Sequence, residues 1–345
     1  MPVTEAKETN PLMQSSAVAL RPPSPAAAPL LQARRGKPVT IRLPVAAPCP
    51  PAEIGSALAE ALESRWQLYR ERLCRCQEEF SEKAVHELRV ATRRLLAEVA
   101  LLTGVAPSGA LEKARRMLKR RLRALGDLRD TQVLWQFIEQ RIARFPELSS
   151  LRSRLKRRAR RLAPLAAQAV GRCKTRKLEK LIAAVRKSLT ANAGQPRAQS
   201  RLASSVLRTV AQAYAEAVER RQAIDLADLR TVHQTRVAFK RFRYMLESLS
   251  PQLTGLSRRQ LRALAYYQRK MGIIQDLEVM RECVARHVRG NKGREVMLQR
   301  FSRHLRQRRA RALRSFLKSA DRLYGFWPPA KLAAPRESTS TRNAA

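Results

Sequence analysis

The sequence has few acidic residues for its length. Its 345 residues include 28 Asp plus Glu against 70 Lys plus Arg, so the formal net charge is +42 and the pI is about 11.6. A folded chain with this imbalance repels itself unless anions condense on it. The expected partners are therefore polyanions: nucleic acid, an anionic membrane surface or inorganic polyphosphate.

Aromatic residues are also scarce, at 5% of the chain, and none forms a ladder that alternates with basic positions. Proteins that bind single-stranded nucleic acid usually combine a basic groove with stacking aromatic side chains. A linear polyphosphate has no bases, so charge and hydrogen-bond donors suffice for it. Nonspecific binding to DNA or RNA backbones remains the alternative, because a net charge of +42 favours phosphate contacts at low salt.

The chain lacks an apolar run of about 18 residues, so no membrane insertion is expected. Its first residues do not combine a basic stretch with an apolar one, as a signal peptide does. Five scattered cysteines, with Cys74 and Cys76 lacking a second pair, predict reduced thiols rather than a metal site. These absences predict a cytoplasmic protein without metal or cofactor.

Composition divides the chain into three parts. Residues 1–52 are rich in Pro, Ala and Ser and are predicted to be a disordered extension, in which 39–43 is the one candidate strand. Residues 325–345 are predicted to be a disordered tail. Between them, at 53–324, apolar residues recur at spacings of three and four, which predicts an all-α fold.

Two sequence blocks occur twice. The pattern H-x-x-R-V-A-x-[RK]-R stands at 86–94 and again at 233–241, and G-x-x-[RQ]-D stands at 126–130 and again at 272–276. Two blocks in the same order at nearly the same separation indicate an internal duplication. The predicted organisation is two pseudo-symmetric helical bundles, with repeat one at 53–190 and repeat two at 198–324.

Helical phasing places the first block on two opposite faces. Because successive residues turn steadily around the helix axis, His86, Arg89 and Arg93 fall on one side with Arg94 at its edge, while the leucines cluster on the opposite side. The second block behaves alike, with His233, Arg236, Lys240 and Arg241 on one side and Arg243 extending its basic edge. Each helix therefore has an apolar face for the core and a His-Arg face.

A basic helix face has two interpretations, a solvated surface or a binding surface. A solvated face usually mixes Glu with Lys to gain pairing along the helix, whereas only Glu87 and Glu98 interrupt the first copy. The same residue classes also recur in the second copy, which favours binding. Arginine presents a planar fork of donors that matches two phosphate oxygens.

The sequence contains no catalytic set that we recognise. The two motif histidines lack a partnering Cys or Ser motif, and no glycine-rich phosphate loop occurs, so a non-enzymatic protein is expected. The Asp of the second block is predicted to be a helix N-cap rather than a metal ligand, with a helix break between 258–274 and 276–289. The basic run at 152–161 fits direct contact with a polyanion and general electrostatic attraction equally well.

Val85-His86-x-x-Arg89-Val90-x-x-Arg93-Arg94-Leu95, followed by Leu118-Lys119 and by Leu125-Gly126-x-x-Arg129-Asp130, resembles the CHAD family, the conserved histidine α-helical domains. Val232-His233-x-x-Arg236-Val237-x-x-Lys240-Arg241-Phe242-Arg243-Tyr244 resembles the family's second copy. The resemblance covers 53–324. It departs from the family at Leu96, where a basic residue is common, and at Gln275, which replaces the counterpart of Arg129.

The resemblance implies two helical bundles whose basic faces line a central groove or pore that binds inorganic polyphosphate, without catalysis, at polyphosphate granules. It implies that Gln275 affects only helix packing. The binding residues that it implies are His86, Arg89, Arg93, Arg94, Arg116, Lys119, Arg120, Arg123, His233, Arg236, Lys240, Arg241, Arg243, Arg262, Arg269 and Lys270.

Overall fold

The computed structural model describes residues 54–191, 193–249 and 256–327, and every regular element in these ranges is helical, which confirms the all-α class. The α-helices of these ranges are α1 (Ile54–Glu78), α2 (Glu82–Val105), α3 (Gly109–Ala124), α4 (Gly126–Glu139), α5 (Ser149–Gly171), α6 (Arg176–Thr190), α7 (Pro196–Gln222), α8 (Arg230–Leu249), α9 (Arg258–Val288), α10 (Lys292–Met297) and α11 (Gln299–Leu317). Two 3₁₀ helices, Pro146–Leu148 and Ala320–Gly325, precede α5 and follow α11 respectively. None of the helices in these ranges is long and apolar enough to cross a membrane. The predicted extension at 1–52, with its candidate strand at 39–43, lies outside the described residues.

Side-chain caps fix the start of the helices that carry basic faces. Ser81 accepts a hydrogen bond from a free backbone N–H of α2, and Ser108 does the same for α3. The predicted capping box at the start of α9 is confirmed: Ser257 Oγ accepts from the Gln260 N–H at 3.2 Å, and Gln260 Oε1 accepts from the Ser257 N–H at 2.8 Å.

The predicted break near residue 275 was wrong, because α9 is one continuous helix through it. Met271, Ile274 and Leu277 are all buried along one side of the helix at this point. A glycine inside a helix costs only about 1 kcal/mol relative to alanine. Burial of the surrounding apolar residues exceeds that cost, so Gly272 does not end the helix.

Helices α2 and α8, which carry the two copies of the H-x-x-R block, lie at the centre of the helix packing. Helix α2 contacts α1, α3 and α7, α8 contacts α7 and α9, and α2 and α8 contact each other. This arrangement gives the two motif helices one shared boundary. It is this boundary that positions the candidate site.

The buried apolar residues form two cores, and each core draws on both halves of the sequence. The larger one includes Trp66 and Leu95 from the first half with Phe239 and Phe242 from the second. The smaller one joins α4 and α5 to the C-terminal part of α9 and to α11. The division into one bundle per repeat, at 53–190 and 198–324, stays a prediction, and the cores do not follow it.

The folded region extends past residue 324, where the tail was predicted to begin. Trp327 is 4% exposed and belongs to the larger core, where its ring lies 6.2 Å from that of Phe242. The rest of the predicted tail, 328–345, lies outside the described residues.

Glu98, which we counted as an acidic interruption of the basic run on α2, is not a surface residue. It is 0% exposed at the boundary between α2 and α8. Burial raises the pKa of the Glu98 carboxyl, and Ser248 and Arg65 oppose that rise. The chain therefore holds a carboxyl group in its core at the cost of stability when the group is ionised.

We expect Glu98→Gln to raise the free energy of unfolding by about 1–3 kcal/mol at neutral pH. The pKa of the Glu98 carboxyl is higher in the folded than in the unfolded state, so wild-type stability is fully present at low pH and falls as the pH rises. The gain should therefore shrink towards pH 4. Urea unfolding at both pH values measures it.

Glu60→Gln is the matched control, because Glu60 is exposed on α1. It should change stability by less than about 0.5 kcal/mol. A stability gain from Glu98→Gln that is equal at both pH values would contradict the assignment.

Candidate anion-binding site

Cations from the two sequence halves meet where α2 packs against α8. The guanidinium groups of Arg89 and Arg93 on α2, and of Arg236 and Arg243 on α8, all act on the Lys240 ammonium and lower its pKa. We call these five residues the central basic cluster. The blocks at 86–94 and 233–241 thus contribute to one site.

Lys240 is half-buried within this cluster. Burial, followed by repulsion from the surrounding arginines, lowers its pKa to about 7. Its Nζ lies 5.4 Å from the centre of the Tyr244 ring, and the Arg243 guanidinium lies 4.8 Å from the same ring. The aromatic face offsets part of the repulsion between these two cations.

Residues of the second repeated block contact the side chain of Arg89. This arginine is 6% exposed, its Nη1 donates to the Leu122 carbonyl at 3.1 Å, and its Nη2 lies 3.9 Å from the Asp130 carboxylate. A Cβ atom at Gly126 would lie 4.0 Å from Nη1. An alanine at this position would still fit beside the guanidinium, so the contribution of the block to Arg89 is the counter-charge of Asp130.

Arg236 occupies the equivalent position in the second half. The Asp276 carboxylate opposes the effect of burial, which lowers the pKa of Arg236. A Cβ atom at Gly272 would lie 3.7 Å from its Nε. The predicted N-cap role of the block was wrong, since Asp130 lies inside α4, which begins at Gly126, and Asp276 lies within α9. The block holds an arginine instead.

We expect Gly272→Ala to stabilise the protein by about 0.5–1 kcal/mol, because alanine is the better residue inside a helix. The added Cβ would make an ordinary contact with Arg236. Gly272→Leu should instead displace Arg236 and lower stability. Thermal unfolding of the two variants measures both effects. A destabilised Gly272→Ala would show that the Arg236 side chain leaves no space for a Cβ at position 272.

The two motif histidines lie beside the cluster in different surroundings. Partial burial and the charges of Arg129 and Arg93 lower the pKa of His86. His233 Nδ1 lies 2.8 Å from Oε1 of Gln275. The expectation that Gln275 affects only helix packing was wrong, because its amide is in hydrogen-bond contact with the motif histidine.

Arg129 belongs to the site although the predicted binding residues omitted it. Its charge acts on both His86 and Arg89, and its Nη1 donates to Glu82 Oε1 at 2.8 Å. The signal was present in the sequence, because Arg129 is part of the repeated G-x-x-[RQ]-D block.

Other predicted residues are engaged elsewhere or lie in solvent. Arg241 Nη1 bonds to Glu216 of α7 at 3.1 Å, and Lys270 Nζ donates to Ser315 and Ser319 at 3.0 and 2.8 Å. These contacts turn both cations away from the central basic cluster. The remaining predicted residues are exposed on α2, α3 and α9, namely Arg94, Arg116, Lys119, Arg120, Arg123, Arg262 and Arg269.

The donors of the central basic cluster are not all used within the protein. Arg236 Nε and Arg243 Nε are buried, and neither has a hydrogen-bond partner among the described residues. Buried polar groups of folded proteins are nearly always bonded, so such exceptions point to a functional role. Chemically, the cluster offers arginine forks and an ammonium group to an anion with several oxygens.

Comparison with known proteins identifies the family. Residues 56–285 match the family model for the CHAD domain. The fold is similar to the crystal structure of the CHAD domain from the plant Ricinus communis, with a TM-score of 0.59 and 23% identity. The similarity covers 81% of this chain and 96% of that one. Among curated protein sequences, none matches. Because the family model spans most of its length, this chain belongs to the CHAD domain family.

Proposed function

We propose that this protein binds inorganic polyphosphate at the central basic cluster and catalyses no reaction on it. The observation that supports this most directly is the environment of Lys240, whose pKa is lowered to about 7 by burial and by four arginines from both halves. Gathering like charges in a half-buried place costs free energy through repulsion and desolvation. A polyanion in contact with the cluster would offset that cost.

The chemistry of the cluster favours a phosphate chain over other polyanions. Arginine forks match paired phosphate oxygens, and Arg236 and Arg243 each bring a guanidinium to the cluster. Tyr244 is the aromatic residue beside the cluster, and two of its neighbours are cations that cover its ring. A base would therefore find little surface on which to stack.

Membership of the CHAD family supports the same substrate, because the family resemblance implies polyphosphate binding. The exposed cations of α3 and α9 would extend the path of a long chain beyond the cluster. We place the protein in the cytoplasm, at polyphosphate granules. Long-chain polyphosphate is the partner that such a site would meet there.

A competition experiment tests the substrate. Labelled long-chain polyphosphate bound to the full chain is displaced by unlabelled polyphosphate, DNA or RNA of matched charge, at physiological salt. Polyphosphate should compete best. Stronger competition by DNA or RNA would replace the proposal with nonspecific nucleic-acid binding.

The absence of catalysis is tested in the same mixture. Polyphosphate incubated with the protein should keep its chain-length distribution on a gel, with and without added divalent cations. Shortened chains or released phosphate would show that the protein is an enzyme.

A further inference from the structure

A second basic site lies between α5 and the C-terminal half of α9. It is a cleft of about 540 Å³, which we call the α5–α9 cleft, and leucine side chains from α4 and α5 contribute to its wall. Its cationic lining comes from both helices and consists of Arg154, Arg157, Arg158 and Arg161 of α5 with Arg286 of α9, and His287 of α9 also lines it. None of the residues of the central basic cluster lines it.

Helical spacing explains why part of the basic run at 152–161 reaches this cleft. The four arginines of α5 recur at intervals of three and four residues, so they lie on one face of the helix. Lys156 and Arg160 of the same run are exposed like these four arginines, but they lie outside the lining of the cleft. The run therefore contains an arginine stripe that faces the cleft and basic positions that face elsewhere.

The arginines of the cleft are not neutralised by the protein. None of the five forms an ion pair with a carboxylate among the described residues, whereas Arg152 of the same helix bonds to Glu139 at 2.5 and 2.6 Å. Like charges four residues apart on a helix destabilise it by a few tenths of a kcal/mol per pair. The cleft thus concentrates positive charge that an anion would balance.

His287 gives the cleft a buried polar wall. It is 5% exposed, its Nε2 lies 3.1 Å from Ser150 Oγ, and its Nδ1 lies 3.4 Å from Nη1 of Arg154. The ring is therefore held between two side chains of α5. Arg154 in turn is held at the edge of the cleft, with its remaining N–H groups free for a ligand.

We propose that the α5–α9 cleft is a second anion site, which binds a compact oligophosphate group such as triphosphate. The volume lies within the range of about 300–1,000 Å³ that is typical of small-ligand pockets. Arginine forks bind paired phosphate oxygens. The group would be either free inorganic oligophosphate or the phosphate end of a nucleotide, which share this chemistry.

The test is a calorimetric titration of the full chain with inorganic triphosphate at physiological salt. It uses R93Q/K240Q as background, so that the central basic cluster does not dominate the signal. Introducing R154Q and R158Q into this background should lower the affinity for triphosphate at least about tenfold. Addition of K156Q/R160Q, the matched control with the same loss of charge on the same helix, should leave it unchanged.

Equal affinity in the R154Q/R158Q and K156Q/R160Q backgrounds would overturn the proposal. R154Q/R158Q removes repulsion, so its thermal unfolding temperature should not fall; if it does, R161Q/R286Q repeats the test from both walls of the cleft. A parallel titration with ATP separates the two sources. Tighter binding of ATP than of triphosphate assigns a nucleotide, equal or weaker binding assigns the free anion, and binding of neither overturns the site.

The outcome of this experiment is independent of whether the proposed function is correct. Long-chain polyphosphate affinity in R93Q/K240Q reports on the central basic cluster, while triphosphate affinity in R154Q/R158Q reports on the α5–α9 cleft. Either result can be negative while the other stands.

Discussion

The double variant R93Q/K240Q is expected to bind long-chain polyphosphate roughly 100-fold more weakly than the wild type, or weaker still. Hydrogen bonds to charged groups contribute about 1.5–3 kcal/mol each, and this variant removes one cation from each half of the site. Glutamine keeps much of the length of both side chains, so their packing is largely preserved. Fluorescence anisotropy with labelled polyphosphate at fixed salt measures the change.

The control is K180Q/K187Q, which removes two exposed cations of α6. It lowers the net charge equally and should change affinity only a few-fold, as expected for long-range attraction. Equal losses in the two double variants would show that net charge alone governs binding. Arg89 and Arg241 are poorer targets, because Arg89 is buried and Arg241 already bonds to Glu216.

Polyphosphate affinity should also fall as the pH rises above 7, by up to about tenfold per pH unit. Below pH 7, Lys240 already carries its charge, because its pKa is about 7 in the free protein. Above pH 7 it is mostly neutral and must take up a proton to meet the anion as a cation. The bound anion raises its pKa, so the fall ends near that higher value. Titrations from pH 6 to 9 at constant ionic strength measure this.

Lys240→Arg tests the origin of this pH dependence. Arginine stays charged throughout the range, so affinity should be flat between pH 7 and 9. The same slope in Lys240→Arg and wild type would assign the proton uptake to another group. The effect of His86 on affinity can be distinguished from that of Lys240. The pKa of His86 is lowered from its ordinary value near 6.5, so any effect of its titration would occur at lower pH.

Local sequence patterns predicted the helices well. The spacing of apolar residues predicted an all-α fold, and Ser257 with Gln260 predicted a capping box that the structure contains. These succeed because helix periodicity and capping depend on residues within one or two turns. The predicted break near residue 275 was wrong, because burial of the neighbouring apolar residues depends on other helices.

The candidate site was only partly predictable for the same reason. Helical phasing placed Arg89 and Arg93 on the basic face of α2, but Glu98, which was counted as an acidic interruption of the basic run, is buried. Phasing describes one helix in isolation, whereas burial depends on what packs against each face. The G-x-x-[RQ]-D block shows this most clearly, since its Asp interacts with an arginine of another helix.

The sequence by itself determined the helical class, the repeated blocks and an excess of positive charge that predicts an anionic partner. The tertiary structure alone decided which cations meet. It brings Arg89 and Arg93 to Lys240 across the boundary between α2 and α8, and it turns Arg241 and Lys270 towards other partners. Charge and periodicity are properties of the chain, but the pKa of Lys240 depends on distances between segments that only packing brings together.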